Sequence, residues 1–227
     1  TDHEYCFSCP IHKQTQNKTT PEPMTPTNTQ NFLSVEYGDI PKRKLREDTC
    51  RKYGYGITDK YQVASYRDGD GRAVAQKLRD SNKNFSIIGE AKKMTLFGQH
   101  LWSGGKQLVI CEGEIDTCSM AQVQNLKWPV VGIPNGAQSA SRAICNNIEF
   151  VESFDKVIFM FDEDKPGRDA AVECAALLSP GKAHITQLPQ GMKDVNDMLV
   201  AGRESELVSV MWSAKPHRPD GLVFKEE

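Results

Sequence analysis

The sequence predicts an α/β fold: a parallel sheet flanked by helices, preceded by a small basic α+β subdomain and part of a metal-binding module. Three observations carry this reading. From Lys106 onward, short unbroken apolar runs alternate with helix-compatible stretches, the pattern of parallel strands buried on both faces. Ahead of them, two alternating runs flank Asp68-Gly69-Asp70-Gly71, a strong hairpin signal. At the N-terminal end, Cys6 and Cys9 form a CxxC pair.

Taken in order, residues 1–12, "TDHEYCFSCPIH", read as the partial metal module. Residues 13–34 are rich in Thr, Gln, Asn and Pro and poor in apolar side chains, which is the composition of a flexible linker. Residues 35–105 form the basic subdomain. It opens with a short basic helix from about Pro41 to Tyr53, stopped by Gly54. In the hairpin "YQVASYRDGDGRAVAQKLRD", Lys77 and Arg79 share one face of the second strand, because strand side chains repeat every second residue. The following "NKNFSIIGEAKKMTLFGQHLWSGG" reads as irregular, basic and partly aromatic. Residues 106–215 supply four strands, "KQLVIC", "PVVGIP", "KVIFMF" and "AHITQLP", each followed by helix-compatible sequence. Residues 216–227 read as the beginning of another linker.

No run of 18 or more apolar residues exists, so no membrane span is expected. The polar N-terminus carries no signal-peptide pattern. Seven Cys without secretory features point to a reducing, cytoplasmic compartment rather than a disulfide framework. The missing initial Met leads to the expectation of a piece of a longer chain. The net charge of -2 conceals a division: residues 42–106 hold 15 Lys and Arg against 7 Asp and Glu, and residues 107–227 hold 11 against 18. A basic segment followed by an acidic one fits polyanion binding beside a metal site, although two ordinary surfaces with chance bias give the same numbers.

The acids are placed more tellingly than they are counted. Glu112 follows "KQLVIC" directly, Asp162 follows "KVIFMF" directly, Asp164 lies two residues on, and Asp194 follows "AHITQLP" after a short loop. Ligands of such sheets sit at the carboxyl ends of the strands. Crowded carboxylates need a compensating cation, and hard oxygen donors without His suit Mg²⁺ or Mn²⁺. The natural chemistry of such ions is phosphoryl or nucleotidyl transfer. One acid alone would be read as a helix N-terminal residue stabilised by the dipole. Acids on successive strand ends favour the metal.

"CEGEID" followed about 50 residues later by "FMFDEDKPGR" resembles the Toprim pattern, Glu-Gly-x-x-Asp and then Asp-x-Asp with a trailing Gly-Arg. "YQVASYRDGDGRAVAQKLRDSNKNF", "LFGQHLWSGGKQLVICEGEID" and "LPQGMKDVNDML" narrow the resemblance to the primase part of the T-seven-like phage primase–helicases, over nearly the whole chain. That resemblance implies a DNA primase core acting on a single-stranded DNA template and NTPs, with a replicative helicase and DNA polymerase as partners. It implies Glu112, Asp162 and Asp164 as catalytic and, with Asp194, as Mg²⁺ (or Mn²⁺) ligands, and Glu114 and Asp116 as completing the first motif, Asp116 pairing with a basic residue. Lys77, Arg79, Lys83 and His100 match its nucleotide- or template-binding positions, while Trp102 reads as core. "PNGA" departs from the family's His-Gly, which leaves that loop's role open.

The same resemblance makes "CFSC" the second Cys pair of a four-Cys zinc ribbon, with Cys6 and Cys9 a half site for Zn²⁺ that needs the first pair from a longer chain. Residues 216–227 then lead toward a helicase domain, and no phosphate-loop motif lies within the chain. Two alternatives stay open on the residues alone. A Toprim nuclease would hydrolyse at the same metals. A non-catalytic single-strand-binding module would use the basic half, but gains nothing from carboxylates beside phosphate.

Overall fold

The computed structural model describes residues 32–218 and, ahead of them, the backbone pairing of two short strands, β1 (His3–Glu4) and β2 (Lys13–Gln14). Cys6, Cys9 and the run-out 219–227 lie outside the described residues, as does nearly all of the 13–34 linker.

The basic hairpin grows into a four-stranded antiparallel sheet in the order β3 (Tyr55–Ile57), β4 (Gln62–Arg67), β5 (Ala73–Arg79), β6 (Phe85–Gly89). The Asp68-Gly69-Asp70-Gly71 turn joins β4 to β5 as its sequence requires, with Asp68 accepting from the backbone N–H groups of Asp70 and Arg72. The expected helix from Pro41 to Tyr53 is divided in two. A 3-10 turn, Pro41–Arg43, ends on Lys44 in the left-handed region, and α1 (Glu47–Tyr53) follows, closed by left-handed Gly54. Ile40 and Leu45 pair across the break and are buried, so packing overrides the helical pattern there. β6 replaces the irregular segment expected after Lys83, and its residues stay largely exposed, so no burial alternation marked it in the sequence.

The alternation from Lys106 produces the expected layered sheet. Its order is β11-β10-β9-β7-β8, from β7 (Gly105–Cys111), β8 (Val130–Gly132), β9 (Phe154–Met160), β10 (Ala183–Ile185) and β11 (Lys215–Pro216). β7 lies parallel to β8 and β9, and β9 parallel to β10, while β11 closes the edge antiparallel. Six helices connect these strands: α2 (Glu114–Val123), α3 (Ala140–Asn146), α4 (Ile148–Glu152), α5 (Lys165–Ala175), α6 (Val195–Val200) and α7 (Glu204–Trp212). The central strands are buried on both faces, and two apolar clusters cover them. One cluster also takes in Tyr55, Tyr66 and Phe97, so the antiparallel sheet packs against the parallel one and the two share a core. None of the described helices is long and apolar enough to cross a membrane.

Candidate active site

The parallel sheet delivers its acids at one edge. Glu112 leaves β7, and its carboxylate reaches sideways to the next loops, accepting from the Asp162 N–H at 3.3 Å and the Ala137 N–H at 3.4 Å. The Asn135-Gly136 loop after β8 therefore helps to hold Glu112. Asp162 leaves β9. Asp164 caps α5 by accepting from the Gly167 N–H, and Asp194 caps α6 by accepting from the Asp197 N–H. Capping explains why these two acids stand where they do, and it leaves their second oxygens for other work.

Close approach at this edge depends on Gly167. A Cβ there would collide with the Asp162 carbonyl oxygen and lie 2.9 Å from Glu112 Oε2. The crowding has an electrostatic consequence. Burial, then the charge of Glu112, pushes Asp162 up to about 6, and burial likewise raises Glu112. Asp116, half-buried, is held well above the usual carboxylate range by desolvation and by Asp194 and Asp162. Among the described residues the cation that pairs with Asp162 and Asp164 is Lys193, whose ammonium lies 3.2 Å from Asp162 Oδ2 and 3.7 Å from Asp164 Oδ2. Its backbone is tied in as well, since the Glu163 N–H donates to the Lys193 carbonyl.

The basic partner expected of Asp116 goes instead to Glu114. Among the described residues Asp116 has no ion pair with a basic side chain; its Oδ1 accepts from the Asn196 N–H at 3.0 Å. Glu114 takes the cation: Lys77 Nζ lies 2.8 Å from its Oε1, and Tyr66 donates to the same oxygen at 2.6 Å. Lys77 also donates to the Pro134 carbonyl at 2.6 Å. The ammonium of Lys77 is thus turned into the joint between the two sheets. Arg79 stands beside it, and both cations lie over the Phe85 ring. Between the sheets runs a cleft of about 260 Å³, lined by Lys77, Arg79 and Phe85 on one side and by Glu114, Asp116 and Asp162 on the other.

Two of the expected binding residues lie away from that cleft. Lys83, left-handed in the β5–β6 turn, lines a neighbouring groove with Lys42, Arg43 and Arg79. His100 lies in a separate cleft beside Arg67 and Trp102, where burial and Arg67 lower its pKa. Trp102 packs on the core cluster around Phe154, with the Lys52 ammonium 4.9 Å from its ring centroid. Sequence reasoning missed Lys193 and Phe85. Lys193 directly precedes Asp194 and was the available signal; Phe85 lay in a stretch read as irregular.

Among the described residues no three His, Cys, Asp or Glu side chains close into a metal cage. The donor set still fits a hard cation. Glu112, Asp162 and Asp164 are crowded oxygen donors, with Asp162 and Glu112 raised, and the Lys193 ammonium sits between two of them where a cation would be held. Mg²⁺ keeps most of its water and needs only one or two carboxylates.

Comparison with known proteins places the fold. Residues 36–89 match the family described as "Bacteriophage T7 DNA helicase/primase, N-terminal a+b fold", and residues 109–199 match "Toprim-like". The primase fragment of the bacteriophage T7 primase–helicase, seen in a crystal structure, is 38% identical, with a TM-score of 0.75 over 92% of this chain and 90% of that one. The chain belongs to the phage primase–helicase family, in its primase part. A second T7 structure, of primase domains with the lagging-strand DNA polymerase, gives a TM-score of 0.74 at 40% identity over 80% of this chain and 93% of the matched one. The DNA helicase/primase of Enterobacteria phage T3 is 37% identical over 97% of this chain. The chain spans 42% of that relative's length. The DnaG catalytic core shares the fold, with a TM-score of 0.60 at 19% identity over 77% of this chain and 71% of that one.

Proposed function

We propose that this chain is a DNA primase core that joins NTPs into short RNA primers on single-stranded DNA in phage replication, in the cytoplasm of the host cell. The observation that supports it best is the cleft: basic and aromatic side chains on the antiparallel sheet face Asp162 and the acidic first motif on the parallel sheet. Polymerisation needs a 3′-hydroxyl brought in line with an α-phosphate, and leaving pyrophosphate must be neutralised. Glu112, Asp162 and Asp164 would hold Mg²⁺ or Mn²⁺, with Asp194 behind them, and the metal would supply charge neutralisation for attacking and leaving oxygens. Arg79 and Lys83 would contact phosphates of NTP or template; Lys77 would contribute from the joint, through its hold on Glu114. His100 would touch the template only where the strand extends beyond the cleft.

One T7 structure holds the lagging-strand DNA polymerase interacting with primase domains of two subunits, in a complex with an RNA/DNA hybrid and dTTP. By likeness, the polymerase and a helicase carried on the same parent chain are the proposed partners. Zn²⁺ at Cys6 and Cys9 belongs to the proposal only with a second Cys pair supplied.

The test is oligoribonucleotide synthesis from labelled NTPs on single-stranded DNA with Mg²⁺ or Mn²⁺, alongside extension of a supplied diribonucleotide. Asp162→Ala with Asp164→Ala should abolish both. Extension without initiation would place the deficit in the half ribbon. Metal-dependent DNA cleavage without synthesis would move the assignment to a nuclease.

A further inference from the structure

Large apolar side chains that stay exposed on a described surface call for a partner. Three of them lie on one face of the antiparallel sheet: Phe85 is 58% exposed, and Ile57 and Ile87 are each 39% exposed. The strand registers put them in two adjacent rows. Ile57 pairs with Gln62, Gln62 with Arg79 and Arg79 with Phe85. Tyr55, Ala64, Lys77 and Ile87 form the next row. Residues directly opposite one another point to the same side, so this is a single face. Further along, that face carries Tyr66 and Ala75 into the shared core, and at the Phe85 end it opens into the cleft beside Asp162.

We propose that this face is a stacking platform for single-stranded nucleic acid, with a base of the template laid on Phe85 and its phosphates on Arg79. Both cations over the Phe85 ring come from β5, so they sit to one side of it, and more than half of the residue is left open. An aromatic ring flanked by cations serves base and backbone together, and such stacking is indifferent to sequence. The row crosses four strands, a width of about 14 Å, which is more than one nucleotide fills. Gln62 and Arg79 also line the neighbouring groove with Lys42, Arg43 and Lys83, so the basic track continues past the platform. Width and continuity favour a strand over a lone NTP. The inference deepens the proposed function by assigning a template-positioning residue, but its binding test does not require polymerisation.

The experiment measures binding of a short fluorescent single-stranded DNA by anisotropy in the whole chain, across a salt series. Phe85→Ala should weaken binding about tenfold, the loss of one stacked base at 1–3 kcal/mol, with the salt slope unchanged. Arg79→Ala should lower the salt slope by about one phosphate's share. Phe85→Tyr and Phe85→Trp should restore binding, and Phe85→Leu should not, which separates stacking from generic apolar contact. Because Phe85 is exposed, thermal stability should stay at the parent value in all four. Unchanged DNA affinity in Phe85→Ala, or full affinity in Phe85→Leu, would overturn the platform. So would weakened NTP binding with template binding intact, which would give the ring to the incoming nucleotide. Loss of primer synthesis with normal DNA binding in Asp162→Ala would leave the platform standing by itself.

Discussion

Asp162 shows what crowding does to a half-buried carboxylate. Its carboxyl is pushed up to about 6 by burial and by Glu112, against an ordinary value near 4. A raised carboxyl favours the protonated folded state, so its contribution is full below about pH 4 and is lost as pH rises through about 6. Glu112, Asp116 and Asp194 are shifted the same way. The metal-free chain should therefore melt lower at pH 7.5 than at pH 5, by about 1–2 kcal/mol for Asp162 after discounting its partial exposure. Mg²⁺ should restore the loss at pH 7.5 and do little at pH 5. Melting curves with and without Mg²⁺ at both pH values check this, and a metal-free melting point that rises with pH refutes it. Lys193 stands where the proposed Mg²⁺ would be held and would compete with it. Lys193→Met should destabilise the metal-free chain at pH 7.5 and tighten Mn²⁺ binding severalfold by titration calorimetry; weaker Mn²⁺ binding would make Lys193 a helper rather than a rival. At this scale the strand-end acids could be read from the sequence, since each directly follows an apolar run. Lys193 was signalled only by its place before Asp194, and its pairing with Asp162 could not be read, because only the fold brings the loop before α6 back to the end of β9.

At the scale of elements, the site depends on how tightly α5 starts against β7. Alanine is ordinarily the better helix residue, by about 1 kcal/mol over glycine. At position 167 the preference should reverse, since an added methyl meets the Asp162 backbone and Glu112. Gly167→Ala should cost about 1–3 kcal/mol of stability, as overpacking does. It should also depress primer extension far more than oligonucleotide binding, because it displaces acids and leaves the basic sheet alone. Equal losses in the two assays would show general unfolding instead. The parallel strands were legible because burial on both faces leaves unbroken apolar runs, and the β4–β5 turn was legible through its Asp-Gly chemistry. β6 was not, because a strand with exposed residues on both faces carries no period of two in hydrophobicity. The break at Lys44 was hidden for a different reason: the local Ile40–Leu45 bridge is fixed from far along the chain by Gln122, which accepts from the Arg46 N–H.

For the molecule as a whole, the decisive joint is the one between the sheets. Lys77 comes from the antiparallel sheet and Glu114 from the first turn of α2, and their side chains are only 12% and 11% exposed. Tyr66 and the Pro134 carbonyl complete the shell of this pair. Sequence pattern placed Lys77 correctly on the cleft face of its strand, but its partner is 37 residues away, at the start of α2. A basic residue near a phosphate site reads the same from sequence whether it faces the ligand or the protein. The two roles part company on mutation. If the joint is structural, Lys77→Met leaves the Glu114 charge buried without its counterion, at a cost of about 3–5 kcal/mol. Glu114→Gln removes the charge while keeping an oxygen for the Tyr66 hydroxyl, so the double variant should be more stable than Lys77→Met alone. The coupling from the four melting curves should exceed about 1 kcal/mol, the size found for residues in one network. Primer synthesis should follow the joint, with Glu114→Gln impairing it although Glu114 need not touch the substrate. Additive stabilities, with Lys77→Met folding as well as the parent and losing only NTP affinity, would return Lys77 to the phosphates and leave the two sheets held by their apolar core alone.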